Sequence, residues 1–203
     1  MEVNSRELTE IELENVHWWS LERRLPVEGV ERYFRTDKDR RERFIKVRWP
    51  DGPVCIKCGS GNLGIVETRA VFQCKECRHQ FSPTAGSILH RSRVDLAGWF
   101  RAAEMIIREG DAGFSEYSRR YRVSSQTLAD RLGIEYVAAH RLRKILLADM
   151  GRGGAGLMSE VICIVTSETP AGIVPDSLAH FDWLFAERSP PSFDEDILRT
   201  LMG

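Results

Sequence analysis

Cys55-Ile56-Lys57-Cys58 and Cys74-Lys75-Glu76-Cys77, with the fifteen residues 59–73 between them, decide how this chain is read. Two cysteines two residues apart can point at one ion from a tight knuckle, and the gap allows a hairpin out and back. Four thiolates close a tetrahedron with no open position, so the expected metal is one structural zinc ion and not a catalytic one. Iron–sulfur clusters more often use other spacings. The expected unit is a small β zinc ribbon over 49–86, with strands near 65–68, 70–73 and 79–82.

Outward from the cysteines, the 203 residues allow one ordinary domain or two small ones, and 42% hydrophobic with 29% charged residues is a globular composition. No apolar run approaches the about 18 residues of a membrane span, and the acidic N-terminus lacks the apolar core of a signal peptide. A cytoplasmic, nucleoid-associated protein is expected. Cys163, in an apolar stretch, is expected to be a buried free thiol. The net charge of −1 hides a strong asymmetry. Residues 40–150 carry 20 Lys and Arg against 12 Asp and Glu, whereas 1–39 carry 6 against 10 and 151–203 carry 3 against 8. A basic middle sits between acidic ends, and salt screening makes the local balance matter more than the total.

Periodicity predicts helices over 1–24, 27–47 and from Ser87 or Ser92 to about 109, where Gly110 to Gly113 break the pattern. A short helix is expected over 114–122. Residues 150–156 are glycine-rich and predict a flexible joint. Beyond it a strand is expected at 161–165 and a final helix at 193–202. Trp18, Trp19 and Trp99 are core candidates. The expected architecture is mainly α with the β zinc ribbon, a helix-turn-helix after it, and a short α+β tail. The units are 1–48, 49–86, 87–148, and an acidic tail or small interaction region over 149–203.

The helix-turn-helix is expected at 126–147. Leu128 and Leu132 fall one turn apart on an inner face, Ala129 is small where helices cross, and Gly133 suits a sharp turn with positive φ. Ile134, Ala139 and Leu142 would seal the second helix on the first. Glu135, Tyr136, Val137, His140, Arg141 and Lys144 then face outward, where a second helix meets the major groove. Arg141 and Arg143 could fork to guanine or phosphate, and Lys144 to phosphate. An ordinary αα-hairpin in a core is the competing reading.

Trp49-Pro50-Asp51-Gly52, the four cysteines, and the run from Gln80 through Ser82, Thr84 to Ser87 and His90 to Arg93, followed by Trp99-Phe100, resemble the zinc-ribbon domain of bacterial insertion-sequence transposases. The resemblance covers roughly 27–147 and is most specific over 74–100. It implies a ribbon and helix-turn-helix that bind transposon ends, followed by an Asp-Asp-Glu catalytic domain with two metal ions. This chain departs from that pattern in an apparent insertion at 110–120. It departs again after residue 147, where 56 residues remain and no carboxylate triad stands out. An RNase H-like core needs well over about 100 residues, so no catalytic activity is expected.

His90-Arg91-Ser92-Arg93 is expected to enter a helix, with Arg91, Ser92 and Arg93 on phosphate or Ser92 as the helix cap. Arg119, Arg120, Tyr121 and Arg122 offer a second basic cluster or a solvated face. Lys57, Arg69, Lys75 and Arg78 offset the charge of the thiolates. The expected function is zinc-dependent, sequence-specific binding of double-stranded DNA by a transposase-derived transcription regulator. The alternatives are a non-catalytic end-binding subunit of a transposase, and a ribbon that docks on the transcription machinery. The acidic ends could recruit RNA polymerase or another protein, form a homodimer, or shield the basic face.

Overall fold

A computed structural model of the protein describes residues 6–109 and 123–188. Among the described residues seven helices build one main core, an eighth packs on the first, and a three-stranded antiparallel sheet stands beside them. The first helix, α1 (Glu10–Arg23), starts at a capping box: Thr9 accepts from the Glu12 amide, and the Glu12 carboxylate accepts from the Thr9 amide. Residues 6–9 therefore lie outside it, a correction to the expected start.

The helix expected over 27–47 is two helices, α2 (Val30–Tyr33) and α3 (Asp37–Arg48). Thr36 is extended at φ −117° and ψ 157°, and its hydroxyl and the Asp39 carboxylate cap each other's backbone amides. That reciprocal cap opens a new helix within the charged run. The charges of α3 also do more than meet water. Arg40 is buried against Asp37, and Arg43 donates to the carbonyls of Glu160 and Val161 at 2.6 and 3.0 Å.

The ribbon strands are β1 (Leu63–Val66), β2 (Val71–Cys74) and β3 (Gln80–Phe81), ordered β1-β2-β3. Leu63 pairs with Cys74 and Val66 with Val71, while Phe72 faces Phe81. A single 3-10 turn at Glu67–Arg69 joins β1 to β2. Cys55, Phe72, Cys74 and Phe81 form a small core, with Trp49 edge-on to Phe72 at 6.0 Å. This core is separate from the main one.

Helix α4 (Leu96–Arg108) starts later than expected, because Asp95 is its cap and accepts from the Gly98 amide. Residues 87–93 are successive turns instead. Trp99, Phe100, Ala102, Ala103, Ile106 and Ile107 are buried and make α4 the central helix. Next come α5 (Ser125–Leu132) and α6 (Tyr136–Met150). The residues 110–122 between α4 and α5, with their expected breaker, helix and arginine cluster, lie outside the described residues. So does the expected final helix at 193–202.

The expected strand at 161–165 is instead the end of a helix, α7 (Leu157–Ile162), followed by extended chain. The reason lies near the end of α6, eight residues before Leu157. The buried Asp149 carboxylate accepts from the amides of Leu157 and Met158, and the Gly156 amide donates to the Asp149 carbonyl. The carboxylate starts the helix despite its β-branched residues, and it ties the glycine-rich segment read as a flexible joint into a closed turn. Burial raises the Asp149 pKa, and the two amides oppose that rise. Met158, Val161, Ile162 and Cys163 enter the main core. The amides of Ile164 and Val165 both donate to the Arg24 carbonyl. Burial pushes the Cys163 thiol up to about 12, consistent with an inert core residue. The last described helix, α8 (Leu178–Arg188), packs Phe181 and Leu184 against Val16 and Trp19 of α1. Trp18, Trp19 and Trp99 are all buried, as the sequence indicates.

Candidate metal centre and nucleic-acid interface

The first knuckle follows the turn at Trp49–Gly52, and its loop is closed by hydrogen bonds from Cys55 N to the Ser60 carbonyl and from Gly59 N to the Cys55 carbonyl. The second follows β2, where Cys74 N donates to the His79 carbonyl and Arg78 N to the Cys74 carbonyl. Gly59 and Arg78 both take positive φ, 75° and 60°, as each knuckle reverses. The four Sγ atoms lie within 4.8 Å of one another, with Cys55–Cys77 and Cys58–Cys74 both at 3.6 Å. Thiolates on a tetrahedral zinc at about 2.3 Å stand about 3.8 Å apart. All four cysteines are free, so these separations are not disulfides.

Electrostatics favour a cation there. Burial opposes ionising Cys55, but the amides of Lys57 and Cys58 and the neighbouring thiols bring it down to about 7. The Ser60 amide favours the Cys58 thiolate, yet the sulfurs of Cys77 and Cys74 outweigh it and push Cys58 up to about 12. Four thiols this close cannot all ionise without a positive ion among them. Lys57, Arg69, Lys75 and Arg78 are exposed around the ribbon. The residues fit one structural zinc ion. Among the described residues no other group of three or more His, Cys, Asp or Glu gathers closely enough to share an ion.

Arg48 joins the ribbon to the helices. Its guanidinium donates to the carbonyls of Pro83 and Ala85 at 2.5 and 2.7 Å and lies 4.2 Å over the Trp49 ring. Burial lowers its pKa. Sequence reasoning passed over this residue. The only hint was an Arg beside a Trp at a helix end.

The remaining candidate residues divide. Arg91 and Arg93 are exposed, with Arg91 at φ 56°, but they lie in the turn before α4 and do not enter a helix. Ser92 neither caps that helix nor is free. Its hydroxyl accepts from the Trp99 indole at 2.9 Å and from Val94 N at 3.1 Å, holding the turn to the core. On α6, Ala139 and Leu142 are buried against α5 and Ile134 packs on the core. Glu135, Tyr136, Val137, His140, Arg141 and Lys144 are exposed together, Val137 to 78%. Tyr136 and His140 stack at 6.1 Å, and His140 Nδ1 lies 3.2 Å from the Ser125 hydroxyl. Arg143 departs from this set. It is half-buried, and its Nε donates to the Val123 carbonyl at 2.7 Å. At the turn, Gly133 has φ 65° and ψ 38°.

Residues 35–80 match the family model of the transposase zinc-ribbon domain. The match takes in α3 as well as the cysteines, so the helix that carries Arg48 is part of the recognised unit. The ribbon is thus a transposase-type zinc ribbon with a four-cysteine cluster, a class that suggests nucleic-acid binding. No curated protein and no solved structure matches the chain. No helix among the described residues is long and apolar enough to cross a membrane.

Proposed function

We propose that the protein is a zinc-dependent, sequence-specific binder of double-stranded DNA in which α5, the Gly133 turn and α6 act as a helix-turn-helix. One observation carries this reading: α6 buries Ala139 and Leu142 on one side and exposes Tyr136, Val137, His140, Arg141 and Lys144 on the other. That face gathers two cations, an imidazole and an aromatic ring where the second helix of a helix-turn-helix meets the groove. In the groove, Arg141 would meet guanine or phosphate, Lys144 phosphate, and Val137 a thymine methyl. Zinc closes the ribbon, and Arg48 sets the ribbon's position against α3. The protein acts by binding and without catalysis, as a transcription regulator of transposase origin.

The test is selection of bound sequences from a random duplex pool, followed by affinity measurements over a salt series. A selected site whose affinity falls with salt, and which Arg141→Ala binds poorly, supports the reading. Equal affinity for all sequences removes the specificity. No affinity for DNA removes the reading.

A further inference from the structure

A cleft of about 320 Å³ opens where the ribbon meets the helical body. Arg69 from the β1–β2 turn, with Ser82 and Thr84 just past β3, lines the ribbon side. Asp37 and Arg41 of α3 and Asp95 before α4 line the other. Counting Asp37, Asp95, Arg41 and Arg69 alone the cleft would be neutral, but the ion pair of Asp37 with Arg40 adds a third cation at its edge and makes the balance positive. Asp95 accepts from the Gly98 amide at 2.7 Å, and Asp37 pairs with Arg40 at 2.9 Å. Arg41 and Arg69 make no ion pair among the described residues.

The Ser82 and Thr84 hydroxyls lie 3.1 Å apart and share one hydrogen bond, so one O–H stays free to donate. Beside Arg69, Ala70 is held at φ 49°, a conformation that non-glycine residues seldom adopt. The backbone strain therefore sits where the hairpin tip meets the cleft, as it often does at binding sites. Two uncommitted guanidiniums and a free hydroxyl suit an anion with several acceptor oxygens, and a guanidinium fork matches phosphate. Arg91 and Arg93, exposed in the turn that leads to Asp95, add cations next to the cleft along the chain. Cations beyond the cleft suit a chain of phosphates better than a single one.

We infer that this cleft holds a backbone phosphate of duplex DNA between Arg41 and Arg69, as an anchor separate from α6. The inference rests on the DNA-binding reading above. It assigns positioning, and not base recognition, to the ribbon side of the molecule.

The experiment compares the full zinc-loaded chain with Arg41→Gln, Arg69→Gln and the double variant, binding unrelated duplexes over a salt series. Arg141→Ala runs in parallel. Because both arginines hold one phosphate, the double substitution should make the slope of log affinity against log salt shallower by about 1, and each single substitution by no more than that, equally for every sequence. A double variant with the wild-type slope overturns the anchor and leaves the α6 reading intact. A wild type without salt-dependent DNA affinity overturns that reading, and the anchor with it. A calorimetric titration with inorganic pyrophosphate separates the two sources of phosphate. Heat lost in the double variant while its DNA slope is unchanged assigns the cleft to a small phosphorylated ligand and overturns the anchor.

Discussion

Arg143 Nε donates to the Val123 carbonyl at 2.7 Å, so this arginine of α6 holds the chain entering α5. Its neighbour two positions back, Arg141, is exposed on the face that carries Tyr136 and Lys144. Arg143→Ala should therefore lose stability, by about 1–3 kcal/mol for a hydrogen bond from a charged, half-buried donor to the carbonyl of the buried Val123. Denaturant titration reads this as a lower midpoint at constant slope. A midpoint equal to wild type would mean that the bond contributes nothing.

Arg141→Ala should do the opposite. Its guanidinium has no ion pair among the described residues, so the melting temperature should stay at the wild-type value. Affinity for a selected duplex should fall by about 1–3 kcal/mol if the side chain meets a base. Unchanged affinity with unchanged stability would move recognition off α6.

Cys74 is fully buried in the ribbon's own core, which is separate from the main core. Cys74→Ser should release the zinc and unfold the ribbon, because metal affinity is folding energy at such a site. The separate cores predict that helical circular dichroism survives while the environment of Trp49, packed on Phe72 and Phe81, is lost. A variant that keeps one zinc per chain and the wild-type tryptophan signal would refute the four-thiolate centre.

Several of these features were legible in the sequence, and others were not, for physical reasons. A metal ion demands its ligands at fixed spacing, so the cysteines announced themselves. Gly133 was legible because a turn at φ 65° favours a residue without Cβ. The buried face of α4 kept a clean helical period. Charged residues were harder, since a long cation shows in sequence that it is charged but not where it reaches. Arg143 looked like a DNA-facing group and Arg43 and Arg48 drew no reading, yet each donates to a backbone carbonyl far along the chain. The tail was misjudged for a related reason. The apolar, β-branched run from Val161 favours a strand by local propensity, but the Asp149 carboxylate caps α7 from the end of another helix. Thr36 and Asp39 formed a cap that hydrophobic periodicity does not register.

The two acidic ends, distant in sequence, meet in space through arginines. Arg152 pairs with Glu10 at 2.8 Å, Arg24 with Glu160 at 2.9 Å, Arg23 with Glu187 at 3.1 Å, and Arg188 with Glu22. They lean on α1, and α1 leans on its cap. The Arg6 guanidinium beside Glu12, with help from the Thr9 amide and hydroxyl, outweighs burial and holds that carboxyl at about 2 against an ordinary 4.5. A carboxylate whose pKa falls on folding stabilises the fold above its unfolded pKa, and that contribution fades as pH drops through the folded value. Between pH 4.5 and about 2, wild type should thus lose a stabilisation that Glu12→Gln does not have to lose. At neutral pH the variant should be less stable by about 1 kcal/mol, the usual worth of a helix cap. The two proteins should converge toward pH 2. Thermal melts over that range check it, and a constant difference down to the lowest pH would assign the cost to packing and not to the carboxylate's charge.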